Sequence, residues 1–142
     1  MVAGTYAANT AMMMASGDWI LLHNDDDALS PDCISTLLTE AKLSGAEVAY
    51  GRLRRHTPRG GISLLGTSPP SFGQFGWQAA LQHSLLGAFP FSPDAWRVSE
   101  TGDWHRLQML LRLGVSFQFT NSVVCDYFPS RLWKGSRDSA SS

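Results

Sequence analysis

Charge is scarce in this sequence. Asp, Glu, Lys and Arg make up 16% of its 142 residues, against a usual share of about 25%. So thin a charged surface points to area that another protein surface covers. The net charge of −1 gives no field to draw nucleic acid or an anionic membrane, and no nucleic-acid partner is expected. There are only two cysteines, Cys33 and Cys125, which excludes a disulfide framework and a metal-knuckle spacing. They read as buried thiols of a reducing compartment. No apolar run approaches the ~18–20 residues of a membrane span. The opening "MVAGTYAANTAMMMASGDW" lacks the basic n-region of a signal peptide, so the expectation is a cytoplasmic protein. No internal repeat is visible. What remains is one domain's length, with 44% hydrophobic residues and enough chain for a sizeable core.

The elements alternate. "TYAANTAMMMAS" is rich in Ala and Met, without internal Gly or Pro, and predicts a helix ending before Gly17. "DWILLH" is short and nearly all apolar, the pattern of a strand buried on both faces of a parallel sheet. "SPDCISTLLTEAKLSG" predicts a helix with Ser30 as N-cap, Pro31 at its first position and Gly45 as its stop. "AEVAYGRL" follows as a strand. Helix, strand, helix, strand with short links is the rhythm of an open α/β sheet. "RRHTPRGGISLLGTSPPSFGQFG" reads as a long loop, and "WQAALQHSLLG" as a return to helix. "TGDWHRLQMLLRLG" predicts a helix with Asp103 in its first turn, Gly114 at its end, and Leu107, Leu110 and Leu111 on one face. "VSFQFT" and "VVCDYF" read as two strands. The domain is placed at residues 1–133, with a frayed polar tail over 134–142.

Against this background "WILLHNDDDALSPD", residues 19–32, is an anomaly. Three consecutive aspartates repel one another. If a strand ends at His23, then Asn24, Asp25, Asp26 and Asp27 leave its carboxyl end, where open α/β sheets place their ligands. Carboxylates on such a turn suit a hard divalent cation, Mg²⁺ or Mn²⁺, which shares its oxygen ligands with substrate phosphates. The plain alternative is a solvated acidic turn that caps the next helix.

The stretch "AANTAMMMASGDWILLHNDDDALSPDCISTLL" resembles the central segment of glycosyltransferase family 2, the inverting nucleotide-sugar transferases of the GT-A fold. Asn9, Gly17, Asp18, Trp19, Asp26, Asp27, Pro31 and Asp32 fall in step with that family's pattern. Asn24 stands where the family has its first aspartate, and Ala8 where an Arg often precedes the helix Asn. The later "TGDWHRLQMLLRLGVSF" resembles the family's Glu-Asp-Trp stretch, with Gly102 in place of the Glu. The resemblance implies a fold: a partial GT-A-like α/β open sheet flanked by helices, lacking the amino-terminal nucleobase-binding strands. It also implies roles. Asp26 and Asp27 would bind the metal, Mn²⁺ or Mg²⁺, Asp25 and Asn24 would face the nucleotide-sugar donor, and Asp103 would be the catalytic base. A helix start lowers an aspartate's pKa through the dipole, so Asp103 is expected to stay ionised; the alternative is that it only caps its helix. The implied reaction carries a sugar from a nucleoside diphosphate to a carbohydrate or lipid-linked acceptor. A partial domain would be completed by a second copy or by a partner supplying the missing half. The other reading is a non-catalytic binding or oligomerisation module derived from such an enzyme.

Three further groups invite a role. Arg52, Arg54, Arg55, His56 and Arg59 form either a clamp for a diphosphate or anionic acceptor, or a solvated basic loop. Phe72, Phe75 and Trp77 lie where the family borders its acceptor site, and packing beneath the long loop is the alternative. Tyr127 matches a frequent family residue; Asp126 stands near the place of a late His that can complete a metal shell. His23, His83 and His105 show no ligand spacing.

Overall fold

A computed structural model describes residues 5–129; the tail expected over 134–142 lies outside them. The first helix, α1 (Thr5–Met14), forms where expected. Helix α2 (Cys33–Ser44) stops at Gly45, whose φ of 70° is left-handed and whose N–H donates to the Ala41 carbonyl. Helix α3 (Gly102–Arg112) begins at Thr101, whose hydroxyl accepts from the Trp104 N–H at 3.3 Å. That bond makes Thr101 the N-cap.

Six strands form one sheet: β1 (Trp19–Leu21), β2 (Ala28–Leu29), β3 (Val48–His56), β4 (Ile62–Leu65), β5 (Ala80–His83) and β6 (Phe117–Tyr127). Their order is β1-β5-β3-β6-β2, with β4 paired to β3 beyond the point where β5 ends. Pairing is antiparallel except between β3 and β6. Since β5 opposes both β1 and β3, those two strands run the same way as β6. The carboxyl ends of β1, β3 and β6 therefore open on one edge of the sheet.

Alternation along β3 divides the core into two layers. Val48 and Tyr50 pack with Met12 of α1 and with Leu107 and Leu110 of α3. Ala49 and Leu53 pack with Cys33, Leu37 and Ala41 of α2. Where β3 crosses β6 the register slips: Tyr50 faces Phe119, Arg52 faces Val123 and Leu53 faces Cys125. Gly51 sits at the slip. A Cβ there would lie 2.8 Å from the Val124 side chain and 2.9 Å from the Ser122 carbonyl, so only glycine lets the two backbones approach.

Several sequence expectations give way to tertiary pairing. "WQAALQHSLLG" is not a helix: it is β5, flanked by 3₁₀ turns at Trp77–Ala79 and Ser84–Ala88. Its four strand residues fill the slot between β1 and β3, and those ladders override helix propensity. Only Trp19–Leu21 of "DWILLH" is strand; it is antiparallel to its neighbour and buries fully only Ile20. The α2 N-cap position is Asp32, not Ser30, whose hydroxyl donates instead to the Val123 carbonyl at 3.0 Å. The long loop carries β4, which closes a hairpin on β3. "VSFQFT" and "VVCDYF" are one strand, β6.

Candidate active site

The acidic turn stands at the carboxyl end of β1. Asp27 is its anchor. Its N–H donates to the Asn24 carbonyl at 3.2 Å, and its Oδ2 accepts from Asn24 Nδ2 at 3.1 Å. Its Oδ1 accepts from the Phe128 N–H at 3.1 Å, which binds the turn to the end of β6. Asp27 is buried, Asp26 half-buried, and Asn24 and Asp25 exposed. The three carboxylates thus differ in kind: one is tied into the backbone, while Asp25 and Asp26 stand closer to solvent. Among the described residues, no group of three His, Cys, Asp or Glu side chains is placed to cage a metal ion.

Asp103 lies one residue into α3. With Thr101 capping the helix, its carboxylate is not needed as a cap. Among the described residues, no hydrogen bond is donated to it. Its carbonyl accepts from Trp77 Nε1 at 3.2 Å, which fixes the first turn of α3 against the core. Asp103 lines a cavity of about 160 Å³. Phe72, Phe75, Trp104 and Leu107 supply its apolar walls, and Ser71 and Thr101 its hydroxyls. Phe72 and Trp104 meet edge to face, their ring centroids 5.5 Å apart. A side chain lining a concavity keeps accessible area while protein surrounds it. Asp103 is such a case: exposed by area, yet desolvated enough that burial raises its pKa, with the Arg106 guanidinium opposing. The lowering expected at the helix start is corrected here: burial outweighs the opposing Arg106 charge.

Tyr127 joins the two parts. Burial raises its pKa first, Asp27 next, then Asp103 and Asp26, while Arg55 opposes. One phenol thus feels the acidic turn, the α3 aspartate and a cation of β3 together. The acidic turn and Asp103 thus both lie within electrostatic range of the end of β6.

The basic loop resolves into separate roles. Arg52 donates to Asn121 Oδ1 at 3.3 and 3.1 Å and to the Gly66 carbonyl at 3.3 Å, and lies 5.3 Å from the Phe119 ring centroid. Asp126 accepts from Arg54 at 3.3 Å and sits 2.8 Å from His56 Nε2; His56 stacks on Phe128 at 4.5 Å. Asp126 is thereby engaged with the basic strand. Arg55 and Arg59 are exposed. Trp77 belongs to the core layer, while Phe75 packs against that layer and also lines the cavity beside Asp103.

Two residues carry more than the sequence reading assigned them. Asn9 makes a two-point clasp with the Phe91 backbone: Nδ2 donates to its carbonyl and Oδ1 accepts from its N–H, both at 2.8 Å. Arg106, to which the sequence analysis assigns no role, is fully buried. Its signal was available, since residues 103, 106, 107 and 110 share one helical face. A cation on that face, among leucines, has to be explained by what it binds.

Residues 4–99, more than half of the chain, match the family model described as Glycosyl transferase family 2. The acidic turn lies inside the match and Asp103 just beyond it. No curated protein matches the chain significantly.

Proposed function

The chain belongs to glycosyl transferase family 2, and on that premise we propose that its site transfers a sugar from a nucleoside diphosphate donor to an acceptor hydroxyl with inversion. The observation that supports this reading is the acidic turn, which lies inside the matched residues at the carboxyl end of β1 and is tied by Asp27 to the end of β6.

Asp103 is the base. Its carboxylate takes the acceptor's proton as the acceptor oxygen forms a bond to the anomeric carbon. On the opposite face the bond to the diphosphate oxygen breaks, and the nucleoside diphosphate leaves with that electron pair. A base acts best with a pKa near the working pH while still ionised. Burial raising Asp103 and Arg106 restraining the rise fit that requirement. The cavity beside Asp103 is the acceptor pocket. Its aromatic walls suit one face of a sugar ring, and Thr101 and Ser71 offer hydroxyls to a carbohydrate.

The oxygen donors of the turn fit a hard cation of the Mg²⁺ or Mn²⁺ kind, which is commonly held by one or two carboxylates plus substrate phosphates rather than by a full protein cage. Asp26, with Asp25 beside it, would hold that ion; when bound, it neutralises charge on the diphosphate leaving group. Asp27 keeps the turn in shape. Asn24, whose amide nitrogen is taken by Asp27, has its side-chain oxygen to offer the donor.

Calorimetric titration with UDP-, GDP- and dTDP-sugars, with and without Mn²⁺, tests the donor half. Metal-dependent binding lost in Asp26→Ala supports it, and absence of binding to every nucleotide sugar sinks it. The second reading is a non-catalytic binding or oligomerisation module on the same fold. It is favoured by β1, which ends the strand order and pairs on one side only among the described residues. Such an edge invites another strand, from a second copy or a partner. Sedimentation that shows a dimer without nucleotide binding would favour this reading.

A further inference from the structure

Arg106 occupies an unusual place for a guanidinium. It is fully buried, and among the described residues no carboxylate lies within ion-pair distance of it. Neutral groups hold it instead. Nε donates to the Phe89 carbonyl at 2.7 Å, and Nη2 to Gln82 Oε1 at 2.7 Å and to the Leu86 carbonyl at 2.9 Å. Its Cζ lies 4.4 Å from the Trp77 ring centroid and 4.9 Å from that of Phe91. Nη1 has no protein partner. A cation placed in a core without a counter-ion costs stability that an apolar side chain would not. Burial does depress its pKa, though only to about 10, so it remains charged at neutral pH.

The cost acquires a purpose one turn earlier. Asp103 is three residues before Arg106 on the same helix, the spacing that brings side chains into neighbourhood. Trp77 links the two physically: its indole N–H holds the Asp103 carbonyl, and its ring face receives the guanidinium. Five fixed contacts therefore set the position of the cation relative to the carboxylate. We propose that Arg106 is the positioning residue of the site, a rigidly held positive charge whose task is to keep the Asp103 carboxylate ionised inside the acceptor pocket. The proposal deepens the assignment of Asp103 as base and rests on it for its catalytic meaning. It also accounts for the absence of an ion pair. A directly bonded guanidinium would occupy the oxygens that must reach the acceptor, whereas one held a turn away leaves them open. Tyr127 at the end of β6 is the titratable group that feels Asp103, together with Asp26, Asp27 and Arg55. Burial opposes ionisation of Asp103, and Arg106, on its own helix, is the cation that favours it.

The test is a carboxyl-carbon NMR titration of the full chain, with Asp103 assigned by its loss in Asp103→Asn. In Arg106→Met the Asp103 midpoint is expected to rise by roughly one pH unit or more; in Arg106→Lys, which keeps a charge, it rises less. A second measurement needs no change at Arg106: the Arg106 Nε–H resonance of the unaltered protein inflects at the Asp103 midpoint, and the inflection disappears in Asp103→Asn. An Asp103 midpoint unmoved in folded Arg106→Met, or an Arg106 resonance indifferent to Asp103, overturns the proposal. Should both titrations behave as expected while Asp103→Asn retains full transferase activity, the charge coupling stands and the base assignment alone falls.

Discussion

Asn9 invites the sharpest stability experiment. Its amide completes both hydrogen-bonding groups of Phe91, at 2.8 Å each, in the way a neighbouring strand would. Phe91 is itself buried in the layer that joins α1, α3 and the sheet. Asn9→Ala leaves one N–H and one carbonyl without partners. A group so orphaned costs about 1–3 kcal/mol, and partial burial puts this pair near the low end. Alanine returns about 0.5 kcal/mol through helix propensity. The net loss is then about 1.5 kcal/mol. For a chain of this length the unfolding entropy is about 0.3 kcal/mol per kelvin, so the melting temperature should fall by roughly 5 °C. Asn9→Asp refines the test. It keeps the acceptor for the Phe91 N–H but sets a carboxylate against the Phe91 carbonyl. The protonated acid can donate to that carbonyl and the ionised one cannot, so the folded-state pKa lies above the unfolded value. Stability relative to the unaltered protein is then fullest below the ordinary aspartate range and is lost as pH rises through the folded value. Urea unfolding followed by tryptophan fluorescence measures both. A loss under 0.5 kcal/mol for Asn9→Ala, or a pH-independent deficit for Asn9→Asp, would refute the clasp as the role of this residue.

The remaining expectations are brief. Asp103→Asn should lower transferase turnover by about 10²–10⁴-fold with unfolding unchanged within about 1 kcal/mol; a rate within threefold removes Asp103 as base. Since burial raises the Asp103 pKa, the acid limb of kcat/KM should lie above the ordinary carboxylate range, and a limb at or below it contradicts that environment. Asp27→Ala frees the Phe128 N–H and the Asn24 amide and should destabilise by about 1–3 kcal/mol, read by urea unfolding, whereas Asp25→Ala should leave stability within about 0.5 kcal/mol. Gly51→Ala drives a methyl group into Val124 and the Ser122 carbonyl and should cost about 1–3 kcal/mol. Burial raises Cys33 to about 11 and Cys125 to about 12, so iodoacetamide at pH 8 should label neither thiol until urea unfolds the chain.

The fold was most legible where local signals agree. α2 has Pro31 before it and Gly45 after it, and α3 has Thr101 and Gly114 as brackets; both helices form within a residue or two of expectation. β5 was not legible, because "ALQH" has no strand pattern of its own. It becomes a strand only by lying between β1 and β3. The acidic turn was found from its charge, but the division of labour within it was not. Nothing in three identical side chains tells which one will meet the backbone of residue 128. Arg106 was missed for a related reason: a cation among leucines has no sequence meaning until Gln82, Leu86 and Phe89 are known to converge on it.

The register slip at Gly51 has a bearing on what changes this chain can tolerate. Before the slip, Phe117 and Phe119 share a side of β6 with the α1 and α3 layer; after it, Cys125 packs on the α2 layer. Strict alternation would have kept 117, 119 and 125 together. The irregularity shifts the phase of β6 by an odd number of residues, and so decides that Asp126 meets Arg54 and His56. Removing or adding one residue between 120 and 123 would reverse that parity. Asp126 and Tyr127 would exchange faces, which would part Asp126 from Arg54 and His56, take Cys125 out of the α2 layer and turn a carboxylate towards it. In this segment chain length is itself under constraint, and a single-residue deletion should be felt in the α2 layer and at the end of β6 together.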